Sequence, residues 1–356
     1  MPKRKIKQST INWKVPTIIL ASALLCIMFL LPTIVVIPFK GEGTVASSIE
    51  TTNATTTEAQ AKQVSALESP FHVQVLRTAT NEVEKIPLEE YVVHVVASEM
   101  PADFELEALK AQALAARTYI VRFLMQKNAE ELPGGADVTD TVQHQVFKNN
   151  DELRQVWGQD YQWKIDKITQ AVSETQGEII TYNAEPITPA FFSTSNGYTE
   201  NSEDYWQNEL PYLRIVESPW DEELSPKFID QVILTVGEVE QKLGVTLGSN
   251  AADFQITRTD SNRVKTATIA GTTFTGREVR EKLQLPSNDF TITRKNDHFV
   301  FTTKGYGHGV GMSQYGAHGM ALEGKTYQDI LTYYYKGTTI ETLEKAAPTL
   351  LVQSTN

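Results

Sequence analysis

The chain of 356 residues is 41% apolar and 21% charged, a globular balance that excludes wholesale disorder and leaves room for one large domain or two modest ones. Its net charge of −12 becomes −17 once the five cations of residues 1–14 are set aside. A body of that sign repels polyanions, which argues against nucleic acid as a partner and is indifferent to a neutral polysaccharide. The single cysteine, Cys26, excludes disulfides, thiolate catalysis and cysteine-held zinc in everything that follows it.

Residues 1–14 are basic, and residues 15–39, "VPTIILASALLCIMFLLPTIVVIPF", carry no charge over 25 positions. As a helix that run reaches about 37 Å, enough to cross a bilayer with some tilt. It is too long for the apolar core of a cleaved signal and no Ala-x-Ala closes it, so an uncleaved transmembrane anchor is expected. The basic flank keeps the N-terminus in the cytoplasm and exports the rest. Residues 40–69, rich in Thr, Ser, Ala and Gly, read as a flexible extracytoplasmic stalk.

From Phe71, "FHVQVLRT" alternates like a half-buried strand. "KIPLEEYVVHVVASEM" opens a helix at Pro87 that Pro101 must stop. Residues 101–128 form the strongest helical signal, with Leu106, Leu109, Ala113, Ala116, Ile120 and Phe123 on one stripe and five alanines from Ala108 to Ala116 that admit a close neighbour. A helix over about 164–175 follows, then strand-like "GEIITYN" and "ITPAFFSTS". Residues 225–303 read as an inserted small α+β subdomain: helices at "VGEVEQKLG" and "GREVREKL", strands at "FQITRT", "RVKTATIAG", "FTITRK" and "HFVFTTK". No internal repeat is evident. The expected class is α+β, mixed helices and largely antiparallel strands around a substrate cleft, spanning 70–345 with a tail at 346–356.

Glu99 ends a helix whose face at three, four and seven residues back is Val96, Val95 and Val92. A carboxyl held against apolar surface keeps its proton toward neutral pH, as a general acid must. The alternative is a surface or capping glutamate of the next helix. "FFSTSNGYTENSEDYWQNELPYL", residues 191–213, mixes hydroxyls, amides and rings in a way that suits a sugar, or simply a large ordered loop. It has no Gly-x-Ser-x-Gly. "GYGHGVGMSQYGAHG" matches neither a dinucleotide fingerprint nor a P-loop, and His308 and His318 fit no standard zinc spacing. His94 and His144 read as hydrogen-bonded structural histidines.

Taken together and in order, "LEEYVVHVVASEMPADFELEALKAQALAARTY", "FFSTSNGYTENSEDYW…LPYL" and "GYGHGVGMSQYGAHGMALEGKTYQDILTYYYKGT" resemble the stage II sporulation protein D family over roughly residues 70–345. The resemblance implies a lytic transglycosylase of peptidoglycan, anchored in the mother-cell membrane and acting on glycan strands during forespore engulfment. It makes Glu99 the catalytic acid and implies partnership with stage II sporulation protein P, an amidase, and stage II sporulation protein M. Arg117, Tyr119, Ser195, Asn196, Glu200, His308 and Gln314 are carried over as site support or saccharide contacts.

Two departures matter. Some family members have cysteines in the segment matching "DVTDTVQHQVF", where this chain has Thr139 and His144, so no metal and no cofactor are expected. Ser195-Asn196-Gly197 stands where the family tends to read Ser-Gly-Gly. Two other readings stay open: a non-catalytic glycan-binding enhancer of a wall amidase, which the same domain also resembles, and a hydrolase with Glu200 as second carboxylate.

Overall fold

A computed structural model describes residues 69–126, 132–248 and 254–353. The expected anchor and nearly all of the stalk lie outside these residues; among the described residues no helix is long and apolar enough to cross a membrane. The protein is a mixed α+β structure whose sheets are mainly antiparallel.

Strands β1 (His72–Arg77) and β2 (Glu82–Pro87) form a hairpin, and Pro87 sits at the N-terminal boundary of α1 (Leu88–Glu99). Pro at that place forfeits nothing, because the first N–H groups of a helix have no partner within it. Met100 leaves the helix in extended geometry (φ −123°, ψ 138°), the conformation that the following Pro101 imposes. Helix α2 (Leu106–Met125) begins five residues after Pro101, since residues 101–105 are not helical. All five alanines are fully buried, and α1, α2 and a later helix pack around one another. The expected stripe is thus only part of the buried surface: α2 is enclosed on nearly every side, and so is α1 before Ser98.

Strand β3 (Val138–Thr139) joins β1 in parallel. Helices α3 (Asn150–Trp157) and α4 (Tyr161–Ser173) follow; α3 is unannounced by the sequence pattern, and an Asn149–Glu152 capping box starts it. Strands β4 (Glu178–Tyr182) and β5 (Glu185–Pro186) pair, and β6 (Phe191–Phe192) is shorter than its apolar run suggested. Two short helices, α5 (Ser202–Trp206) and α6 (Trp220–Leu224), lie in the loop-rich stretch beyond.

The next eight elements are β7 (Ile229–Thr235), α7 (Val236–Leu243), β8 (Phe254–Arg258), β9 (Val264–Ile269), β10 (Thr272–Thr275), α8 (Gly276–Leu283), β11 (Phe290–Lys295) and β12 (His298–Lys304). They surround an apolar cluster of their own that includes Val239, Ile269, Val279, Phe290 and Phe301. Gly305 N–H donates to Phe228 O at 2.8 Å, so the segment leaves and rejoins the rest at one point.

Here the structure corrects the reading that no repeat exists. The order strand, helix, strand, strand occurs twice, and the two sheets, β10-β9-β8 and β11-β12-β7, each combine the hairpin of one copy with the lone strand of the other. Thr235 and Thr275 both cap their helices in Thr-x-x-Glu boxes with Glu238 and Glu278, and both strands after them read Phe-x-Ile-Thr-Arg. The helices also share Glu-Val-x-x-Lys-Leu, at Glu238–Leu243 and Glu278–Leu283, but the spacing between copies shortens from Thr235/Thr275 to Phe254/Phe290, so counting one fixed period along the chain does not reveal them.

The chain returns through β13 (Met312–Ser313), parallel to β6, into α9 (Gln314–Leu322) and α10 (Tyr327–Tyr334), and β14 (Thr339–Thr342) closes on β4. Two of the glycines of "GYGHGVGMSQYGAHG" lie inside α9: Gly316 abuts Tyr334 and Ser218, and Gly319 abuts Trp220. Gly311 has φ +82°, and a Cβ there would sit 2.0 Å from Ala190 O, across the β6–β13 pair. Gly311→Ala is therefore expected to cost about 2–4 kcal/mol, from strained backbone plus overpacking, measurable as a lower urea midpoint.

Candidate active site

Glu99 lies at the exit of α1, where the helix meets the loop after β3 and the start of α9. Val92, Val95 and Val96 are fully buried beneath it, and Glu99 itself is half-buried. Its Oε1 accepts the Val146 N–H at 3.3 Å, and its main-chain oxygen accepts Gln314 Nε2 at 3.0 Å. Burial raises the carboxyl above the usual glutamate range, against weaker opposing effects of the Val146 N–H and the Lys148 charge. The valine setting read from the sequence therefore favours the protonated carboxyl.

The Val146 loop is held from below. Tyr91 and His94, on α1, press their rings on Phe147 at 5.7 and 5.2 Å, and Tyr91 Oη donates to Gln145 Oε1 at 3.2 Å. On the other side Arg77 stacks over Phe147 at 5.2 Å and binds Asp140 at 3.0 Å and Glu152 at 2.6 Å. His94, buried, is depressed to about 4 chiefly by desolvation and is neutral at physiological pH, which fits its structural reading.

Rings line both sides of this loop and helix end. Tyr119 stacks on Phe123 (6.2 Å), which meets His144 edge-on (5.0 Å). His144 Nδ1 is bound to Thr139 Oγ1 at 2.9 Å and accepts the Thr139 N–H at 3.2 Å, so this part of the segment folds on itself. Beyond Gln314, Phe104 stacks on His318 (4.4 Å) and meets Tyr315 edge-on (4.8 Å), and His318 Nδ1 accepts the Glu105 N–H at 3.1 Å.

The other candidate residues divide. Tyr119 is half-exposed beside this region. Arg117 touches no solvent, which leaves it no surface for a saccharide: fully buried, it binds the buried Glu89 through Nε (3.0 Å) and Nη2 (2.6 Å) and reaches the Glu178 carbonyl at 3.1 Å. Gln314, 6% exposed, is turned to Glu99 and Gln112 rather than outward.

Ser195 and Glu200 are corrections as saccharide contacts, because both are fully buried. Ser195 donates from Oγ to Ser218 O (2.9 Å) and from its N–H to Asp221 Oδ1 (2.7 Å). Glu200 accepts Thr259 Oγ1 (2.7 Å), Ser261 Oγ (2.8 Å) and the Asn201 N–H (3.0 Å), fastening the repeated subdomain to the body. A carboxylate so enclosed has no surface to offer a sugar or an attacking water, which removes the ground for Glu200 as a second catalytic carboxylate.

Asn196 is half-buried and engaged with Ser261 O and Asp289 Oδ2, each at 2.8 Å. His308 sits among Phe192 (5.7 Å), Tyr205 (5.8 Å) and Trp206 (5.2 Å), accepts the Val310 N–H at 3.1 Å, and is depressed to about 3 by desolvation and nearby arginines. It is neutral and half-buried in the glycine-rich strap, with its ring among those of Phe192, Tyr205 and Trp206.

Sequence reasoning missed Val146, which acts through its backbone and leaves no side-chain signal. It missed Asp221, a buried acceptor for Ser195, Ser218 and Ser313. Gln112 had a signal: an amide amid the alanines of α2.

The fold and site define an α+β protein with one half-buried acid at a helix end, framed by rings and neutral amides. The family model "Stage II sporulation protein" matches residues 77–182, which include Glu99, Arg117, Tyr119 and Val146. Stage II sporulation protein D of Bacillus subtilis (strain 168) is 52% identical over 322 residues, covering 90% of this chain and 94% of that protein. Stage II sporulation protein D of Bacillus amyloliquefaciens is 49% identical over 329 residues, covering 91% and 95%. The amidase enhancer of Bacillus subtilis (strain 168) is 28% identical over 300 residues, covering 69% of this chain and 39% of that protein. This chain belongs to the stage II sporulation protein D family.

Proposed function

We propose that the protein is a membrane-anchored lytic transglycosylase that cleaves the MurNAc–GlcNAc bond of peptidoglycan glycan strands during forespore engulfment. The observation that carries this reading is Glu99: a carboxyl favoured in its protonated form by burial, at the meeting of a helix end, a loop and the α9 start. Glu99 gives its proton to the glycosidic oxygen as the C1–O bond breaks, and the GlcNAc unit leaves as an alcohol. The resulting carboxylate then takes the proton of the C6 hydroxyl of the same muramic residue as that oxygen bonds C1. The product is a 1,6-anhydro end, Glu99 is reprotonated, and no water is consumed, so one carboxyl serves where hydrolysis employs two. In this reading the catalytic domain faces outward from the mother-cell engulfing membrane and works with stage II sporulation proteins P and M, the former an amidase that strips stem peptides.

A second reading, a glycan-binding enhancer of a wall amidase, is favoured by the 28% identity to an amidase enhancer. Mass spectrometry of purified, peptide-free glycan strands incubated with residues 69–356 separates the two. Anhydro ends are expected. Strands that stay intact yet co-sediment with the protein would establish the enhancer instead, and reducing ends carrying oxygen from labelled water would establish a hydrolase.

A further inference from the structure

The amide that touches Glu99 belongs to a longer arrangement of neutral groups. The main-chain oxygen of Glu99 is one of the last carbonyls of α1, which no N–H of its own helix can reach. Gln314 Nε2 caps it at 3.0 Å from 215 residues away, and the same nitrogen donates to Gln112 Oε1 at 3.3 Å. A carbonyl accepts only, so it fixes which end of the Gln314 amide faces it. That nitrogen then fixes Gln112 with its oxygen toward Gln314.

Gln112 is fully buried, and its own Nε2 has no hydrogen-bond partner. Across the site Gln145, 3% exposed, likewise has its oxygen occupied by Tyr91 and its Nε2 unpartnered. A buried donor without a partner is a cost that apolar residues of the same shape avoid, so glutamines among the alanines of α2 and beside Val146 are poor choices for packing alone. The charged and titratable groups facing the acid are Lys148, from the loop, and Tyr91, from α1 itself; among the described residues Glu99 makes no ion pair.

We propose that Gln314 and Gln112 are positioning residues for Glu99: they fix the helix end that carries the acid with uncharged groups, which orient it without the positive charge that would draw off its proton. The inference rests on the transglycosylase reading for its kinetic arm only.

Gln314→Met and Gln112→Met keep shape and remove the amide. Each is expected to lower kcat on peptide-free strands about tenfold with KM within twofold, and the double variant to lose no more than the worse single one, because the two act as a unit. NMR titration of the Glu99 side-chain carboxyl carbon is expected to move to lower pH in each, as the loosened helix end lets water in. Gln314→Asn, which stays polar but withdraws the donor by one methylene, repeats the test if a methionine variant does not fold. Folded variants with the parent's kcat and the parent's Glu99 titration would overturn the proposal. If the parent itself releases no anhydro ends, the transglycosylase reading falls and the Glu99 titration alone decides the positioning role.

Discussion

Glu99→Gln is expected to reduce release of anhydro ends by about 10³-fold while the protein still binds glycan, because the amide keeps the shape and the Val146 contact but has no proton of suitable acidity to give. The same substitution should raise the melting temperature at neutral pH. Burial raises the Glu99 carboxyl in the folded state, so folding binds protons as pH climbs from the unfolded glutamate range to the folded value. Across that window the parent loses stability, and above it the cost is complete. Gln removes the cost, so the variant should melt higher at pH 7 and lose its advantage below about pH 4. Calorimetry across pH and product analysis read the two effects independently. Unchanged product release from a folded variant would end the case for Glu99 as the acid.

Arg117→Met should destabilise the fold by about 3–5 kcal/mol, the usual result of stripping one partner from a buried ion pair. Glu89 would then be left fully buried, with Gly177 N–H as its remaining donor. The double change Glu89→Leu with Arg117→Met should recover much of the loss, since an apolar pair of similar volume has no charge to desolvate. Recovery stays incomplete because the Glu178 carbonyl also loses the Arg117 donor, while the Val172 carbonyl keeps Thr175. Urea unfolding measures all three proteins. A singly substituted protein as stable as its parent but unable to bind glycan strands would return Arg117 to the substrate.

The sequence announces what depends on neighbours along the chain. The period of α2, the Pro101 stop and the valines below Glu99 are all local, and the helix end is found where they indicate. What depends on distant partners was misread or missed. Ser195 and Glu200 look like sugar ligands in a loop of hydroxyls and amides, because composition says nothing about which side of the loop is closed by residues 259–261. The glycines of "MSQYGAHG" imply close approach of backbone to a neighbour, but the neighbours, Tyr334 and Trp220 against α9, appear only in three dimensions. The duplicated subdomain escapes a fixed period because the linker between helix and strand is shorter in the second copy; capping boxes, Glu-Val-x-x-Lys-Leu and strand order preserve it.

The Gln314 cap has a consequence for biosynthesis. A growing chain presents its N-terminal half first. Glu99 is made early, yet the group that completes its helix end arrives 215 residues later. Between the two lies the whole duplicated subdomain, whose two sheets each draw strands from both copies. A polypeptide that stops before Gln314 thus carries Glu99 without the cap on its helix end.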